Sequence, residues 1–410
     1  MTGGGASLSP AENSVLRRLV PAEPPDCGAP RSFLQSPFWG AFKARFGWRP
    51  LSFCSEWLHR QGRGFCLVLC RPLGPGISFA YVPWGPELPE SPPGQAGIWS
   101  AGERGRAAAE LAKALRPLLP RNTAFIRFDL PWYWVEAPAQ TDPAGTDPAQ
   151  AGAAAGIGTP VFSAPPADPP AAPGSFIPPK PFIRAAADVQ PPDSVLVDLT
   201  GEESAILAGM KPKWRYNVGL AERKNVSLRC AAASGGVRED LEKFYALYQE
   251  TADRDGILIH NREYYTALFE EAAKHKADLR LYTASHGGQD IAGIITLFWG
   301  LEGVYLYGAS ANHKRNLMAP YALQWRAMRD AKAAGCGFYD LFGIAPKADP
   351  AHPMAGLYRF KTGFGGQIIH RPGSWDYPYR PLATALYHGA ERIRKKIRDS
   401  KKRQKRRSRL

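Results

Sequence analysis

The chain has 410 residues, 44% of them hydrophobic, which is enough for two or three ordinary globular cores and too much for a single small one. Its formal net charge of +15 is concentrated at one end: Glu391 to Leu410 holds twelve Lys or Arg against two acids, a net of +10, leaving about +5 for everything before it. No run approaches the ~18 apolar residues of a membrane-spanning helix, and Met1 to Pro10 lacks the basic and apolar stretches of a signal peptide, so a cytoplasmic protein is expected.

Six cysteines (Cys27, Cys54, Cys66, Cys70, Cys230 and Cys336) show no CxxC spacing. Cys66 and Cys70 fall in the strand-like run Gly64 to Cys70, where buried thiols are expected rather than a disulfide or a zinc site. Eight scattered histidines give no metal-ligand spacing, so no metal is expected.

In chain order, Phe65–Cys70, Ser78–Pro83 and Ala124–Leu130 are expected strands. Ala107, Leu111 and Leu115 recur at helical spacing, which predicts a helix from Glu103 to about Leu115. From about Ala137 to Pro192 the chain is dominated by Ala, Pro, Gly, Asp and Thr, a composition that buries too little apolar surface to offset the entropy of ordering. This stretch is expected to be a largely disordered insertion, ordered if anywhere near Pro181–Arg184 and Gln190–Pro192.

The second half opens with two amphipathic helices, one through Leu241, Phe244, Tyr245 and Tyr248 and one through Tyr265, Leu268, Phe269 and Ala272. A strand at Leu279–Ser285, a turn at His286–Asp290 and a second strand at Ile291–Trp299 form a hairpin, with a third strand at Gly303–Gly308. The loop from Asn312 runs into a helix opened by Pro320, where the missing N–H costs nothing, and closed by Gly335. A fourth strand, Phe338–Phe342, follows.

A meander feeding strand, loop, helix and strand is the layout of acetyltransferase-like (GNAT) domains. In those enzymes a glycine-rich loop before the helix holds the coenzyme A pyrophosphate on bare backbone N–H groups. The matching stretch here, Arg315-Asn-Leu-Met-Ala-Pro-Tyr, has no glycine, and Pro320 removes a donor, so a different acyl donor is expected.

Five blocks in order then carry a resemblance. Gln35-Ser-Pro-Phe-Trp-Gly-Ala-Phe-Lys-Ala-Arg-Phe-Gly-Trp comes first, then Lys211-Pro-Lys-Trp-Arg-Tyr-Asn-Val-Gly-Leu-Ala-Glu-Arg-Lys-Asn-Val and Thr251-Ala-Asp-Arg-Asp-Gly. Tyr305-Leu-Tyr-Gly-Ala-Ser follows, and His352 to Gly366 with Gly373-Ser-Trp-Asp completes the series. Together they resemble the Fem family of aminoacyltransferases, over nearly the whole chain except the Ala/Pro-rich insertion and the basic tail. The resemblance implies an α/β (α+β) fold of two tandem GNAT-like domains, here without the long helical-hairpin arm of some relatives. It places a first GNAT-like domain at residues 1–136, the insertion at 137–192, a second GNAT-like domain at 193–372, a return segment packing on the first domain at 373–390 and a basic tail at 391–410.

The implied reaction is aminolysis: a stem-peptide amine of a peptidoglycan precursor attacks the ester joining an amino acid to tRNA. The implied partners are aminoacyl-tRNA and either lipid II or UDP-MurNAc-pentapeptide, with no cofactor, no covalent enzyme intermediate and a monomeric chain. The resemblance puts Phe360 and Lys361 beside the acceptor or tRNA end, where an ammonium stabilises the oxyanion or grips the 3′ phosphates. The alternative makes Phe360 and Phe364 core strand residues and Lys361 a solvated charge, and Gly363, Gly365 and Gly366 suit a substrate-facing strand.

Lys43 and Arg254 are implied anchors for the precursor's diphosphate, against ordinary salt bridges, since Arg254 sits between Asp253 and Asp255. Asp129, at a strand end, is either the general base or a turn cap before Pro131. Tyr305 and Tyr307 alternate with Leu306 and so share one face, lining a cleft or packing a core. Lys211, Lys213 and Arg215 open a helix and either track tRNA or form a solvated face; the tail binds tRNA phosphates or the anionic inner leaflet, or frays in solvent. Two other classes stay open: an N-acyltransferase with another donor, and a non-catalytic protein that binds RNA or a membrane surface through the tail.

Overall fold

The computed structural model describes residues 6–7, 14–22, 27–58, 63–89, 99–136 and 177–407. Most of the Ala/Pro-rich stretch, 137–176, therefore lies outside the described residues.

The first half runs β1 (Ala6–Ser7), β2 (Leu16–Pro21), α1 (Pro37–Ala44), β3 (Arg49–Trp57), β4 (Arg63–Gly74), β5 (Ile77–Val82), α2 (Ala101–Leu115), β6 (Thr123–Asp129) and β7 (Trp134–Val135). α1 starts where the Ser36 side chain accepts the Trp39 N–H and Pro37 takes the first turn. α2 starts two residues earlier than expected, because Ser100 and Glu103 close a reciprocal capping box.

The second half runs β8 (Ile183–Arg184), β9 (Asp193–Asp198), α3 (Glu203–Gly209), α4 (Pro212–Arg223), β10 (Ser227–Ala232), α5 (Arg238–Asp255), α6 (Arg262–Lys274), β11 (Asp278–His286), β12 (Gln289–Trp299) and β13 (Glu302–Ser310). It continues through α7 (Ala319–Ala333), β14 (Phe338–Asp340), α8 (Ala355–Thr362), β15 (Gln367–His370), β16 (Ser374–Pro378) and α9 (Pro381–Arg407). No described helix is long and apolar enough to cross a membrane.

Two eight-stranded sheets result, in the orders β1-β2-β3-β4-β5-β6-β16-β8 and β10-β11-β12-β13-β14-β9-β15-β7. Each holds one parallel pair, β5 with β6 and β13 with β14, and the other described pairs are antiparallel. A parallel neighbour demands a crossover, and α2 and α7 supply it. The strand-meander, helix, strand order is thus built twice, giving a mixed α/β fold of two GNAT-like halves. The halves also trade strands: β7 adds to the second sheet, while β16 returns to β6 in the first.

Three apolar clusters fill this frame. One lies under α2 in the first half and one under α7 in the second. The third is shared, joining Phe38, Trp39, Phe42 and Trp84 of the first half to Phe244, Tyr264, Tyr265 and Ile295 of the second. α5 and α6 both contribute to this shared core, so among the described residues neither stands off as a projecting arm.

Three local expectations need correction, and the cysteines add a bridge. Arg359-Phe-Lys-Thr-Gly is no strand: Ala355–Thr362 is helical, and Gly363 ends it pressed against the Trp214 indole, where a Cβ would clash. The strand at Phe338 stops at Asp340, because Phe342 adopts a positive φ of 55° and leaves extended geometry. Tyr305 and Tyr307 do not share a face, because a bulge sets Tyr307 against Ile295 and Tyr305 against Thr296, leaving Leu306 unpaired. Tyr305 therefore packs with the α7-side core and Tyr307 with the shared one. Cys66 and Cys70 are buried free thiols, but Cys27 and Cys54 form a disulfide that no spacing motif marked.

Candidate active site

The shared core carries an aromatic cage around Lys43. This lysine ends α1, and its Nζ lies 5.3 Å from the Trp39 ring, 5.7 Å from Phe42, 5.9 Å from Trp48 and 5.6 Å from Tyr264 of α6. Trp48 is sandwiched in charge, since the Arg71 guanidinium lies 5.3 Å from the same ring. Burial, and after it the Arg71 charge, pulls the Lys43 ammonium down to about 8. Among the described residues neither cation has a carboxylate partner, so the site holds uncompensated positive charge on an apolar floor.

His260 stacks on Tyr264 at 3.8 Å, and burial followed by the Lys43 charge keeps its imidazole below its ordinary value. Tyr307 closes the far side, 5.2 Å from Tyr265 and 6.3 Å from Tyr248. Arg254 is outside the cage. It ends α5 and spends its donors on Asp255 at 2.9 Å, the Ser310 carbonyl at 2.8 Å and Asn312 at 3.0 Å. It thereby clamps the end of β13, three residues beyond Tyr307 on the same strand.

Lys361 lies in a second cluster. It is only 5% exposed, and its Nζ donates to the carbonyls of Phe342 at 2.6 Å and Gly343 at 3.0 Å while lying 5.1 Å from the Tyr305 ring centroid. Burial pulls the ammonium down to about 7, against the opposing charge of Asp340. The loop that holds it touches the first half: the Phe342 ring packs 5.6 Å from Trp84, whose other neighbour is the Arg371 guanidinium at 4.0 Å. Arg371 faces buried Asp340 at 3.7 Å, and burial, followed by the Asp340 charge, raises the Glu302 carboxyl nearby.

Phe360, one residue before Lys361, turns into the α7-side core, with ring contacts to Tyr321 at 5.2 Å and Phe364 at 5.1 Å. Its carbonyl accepts the Trp214 indole N–H at 2.8 Å, which ties α8 to α4. That bond sets the exposed Lys211 and Lys213 beside the Lys361 helix, and the Lys211 N–H donates to the Gly363 carbonyl at 2.9 Å. Arg215 instead turns back on the chain carbonyls of Ala208 and Met210.

Asp129 belongs to neither cluster. One carboxylate oxygen takes the Ser374 hydroxyl; the other takes the Tyr81 hydroxyl and, at 3.0 Å, the Gln190 N–H. Burial raises this carboxyl to about 6 despite those donors. With both oxygens engaged and the side chain buried, Asp129 joins β5, β6, β16 and the approach to β9.

Sequence reasoning did not single out Arg71, His260, Tyr264, Asp340 or Arg371, and it reached Trp48 only as the end of the first family block. Tyr264 left one usable trace: next to the core residue Tyr265 it stands about 100° around the helix, off the apolar stripe.

Two α/β halves of repeated meander-helix-strand order define a tandem GNAT-like fold, with cation clusters at and beside the seam. The FemAB family model matches residues 182–286 and 269–392, and the chain belongs to that family. Its curated relatives include the lipid II:glycine glycyltransferases of Staphylococcus haemolyticus, 28% identical over 136 residues, and of Staphylococcus epidermidis, 30% identical over 127 residues. Those matches cover 33% and 31% of this chain and only 32% and 30% of the relatives. The crystal structure of FemX superposes with a TM-score of 0.63 at 16% identity, covering 87% of this chain and 94% of that one, which shows a common fold.

Proposed function

We propose that the chain transfers an aminoacyl group from aminoacyl-tRNA to the stem-peptide amine of a peptidoglycan precursor. The observation that carries this reading is the unpaired Lys43–Arg71 couple on aromatic walls between the halves. Cations without carboxylates seek an external polyanion, and the diphosphate of a lipid- or nucleotide-linked precursor is one. The glycyltransferase relatives, named for lipid II, favour the lipid-linked form.

Chemically, the amine nitrogen bonds to the ester carbon, the ribose oxygen leaves with the bonding pair, and the amine's proton replaces it there. Negative charge builds on the carbonyl oxygen in between. Lys361, held by two backbone carbonyls and poorly solvated, answers that charge with its remaining N–H. Lys211 and Lys213, exposed beside the same helix, guide the tRNA acceptor end by phosphate contact. Arg254 fixes the strand end that carries Tyr307. The chain acts as a monomer in this scheme.

A coenzyme A donor is disfavoured by the loop before α7. The Leu317, Met318 and Tyr321 N–H groups all donate within the loop or its helix start, and Pro320 has none, so these four positions offer no amide to a pyrophosphate. Incubation with charged tRNAs and both precursors, followed by mass analysis, tests the proposal: one added aminoacyl residue on the precursor supports it, and transfer only from acyl thioesters sinks it.

A further inference from the structure

α9 begins where the chain has returned to the first sheet, and its two sides are unlike. One side is fastened to the protein: the Thr384 hydroxyl donates to the Ala124 carbonyl at 3.2 Å, His388 meets Asp376 at 2.7 Å, Glu391 accepts from Arg127 at 2.9 Å, and Lys395 donates to the Ala186 carbonyl at 2.8 Å. Those positions, spaced four, three and four apart, form a single helical stripe.

Roughly half a turn away lies a second stripe, Leu382, Leu386, Ile393 and Ile397, spaced four, seven and four apart. These side chains are 84%, 77%, 60% and 51% exposed. On a helical wheel the same sector takes Gly389, Ala390 and Ser400, so it carries no charge from Leu382 to Ser400. Cations border it: Arg392 and Lys396 on one flank and Arg394 on the other are all exposed, and the last twenty residues carry a net +10.

We infer that this face of α9 docks on an anionic phospholipid surface, with its aliphatic stripe in the acyl boundary and the flanking cations on the head groups. An amphipathic helix with an apolar face and a Lys/Arg-rich polar face lies in the plane of such an interface. A nucleic acid would account for the cations and leave four exposed aliphatic side chains in a charge-free row without a role. The inference does not depend on the transfer reaction, and the family match ends at residue 392, within this helix.

The test uses the full chain in sedimentation with phosphatidylcholine vesicles, with and without phosphatidylglycerol. Wild type binds the anionic vesicles and hardly the neutral ones. Leu386→Ser with Ile393→Ser, which leaves the charge unchanged, weakens vesicle binding roughly tenfold or more while circular dichroism and melting stay as in wild type. Changing Arg392, Arg394 and Lys396 to Gln abolishes the preference for anionic lipid. Three outcomes overturn the inference: wild type that stays in the supernatant, a serine variant that binds as well as wild type, as it would if the tail were a polyanion binder only, and a wild-type dimer that the serine substitutions dissolve, which would assign the stripe to a second copy.

Discussion

Lys43, the last cation of α1 in the first half, lies 5.6 Å from the ring of Tyr264 on α6 in the second. Neither residue completes the cage alone, so the proposed anion site exists only while the halves are packed. Its floor is the shared apolar cluster, on which the half-buried Trp48 packs between the two cations.

Lys361 makes stability depend on pH in a definite direction. Its folded pKa of about 7 lies below its ordinary 10.5, so between those values the unfolded chain holds the extra proton. The buried ammonium thus destabilises the fold fully below pH 7, and the penalty fades as pH rises toward 10.5. Urea unfolding of wild type and Lys361→Met over this range should show the variant's relative advantage shrinking with pH; a pH-independent difference would contradict a buried lysine. In transfer assays the same variant should lose about a hundredfold in kcat.

Asp129→Asn separates a joint from a general base. Three donors converge on this carboxylate, and an amide presents one of them with another donor. A loss of about 1–3 kcal/mol in unfolding free energy is expected, with kcat of the folded protein unchanged. A large drop in kcat at full stability would return Asp129 to the chemistry.

Phe360→Leu should behave as a packing change. Its ring touches Tyr321 and Phe364, so a cost of about 1 kcal/mol in stability with kcat near wild type is expected. Parallel melting and steady-state assays check this, and a stable variant without turnover would show that the ring meets a substrate.

Elements with strong periodicity or turn chemistry were legible in the sequence. The apolar spacing of α2 and α5, the glycine turn between β11 and β12, and Pro320 at the start of α7 each have a local cause, and the structure shows all of them. The bulge at Tyr305–Tyr307 was not legible, because its cause is the pairing with Ile295 and Thr296 on another strand. α8 was misread for a related reason: glycines that suggested a strand beside substrate are there because Trp214 and the Leu196 backbone leave no room for a Cβ. Family blocks pointed to Lys43, but the cage needs residues 39–48, 71 and 264 together, and only folding brings those segments into contact.

The most direct test of the anion site is the kinetic split in Lys43→Ala with Arg71→Ala. Loss of two charge-assisted contacts should raise the KM for the diphosphate-linked precursor by roughly tenfold to a hundredfold or more, with little change in the KM for aminoacyl-tRNA. A rise confined to the tRNA, or no change in either KM, would contradict the account.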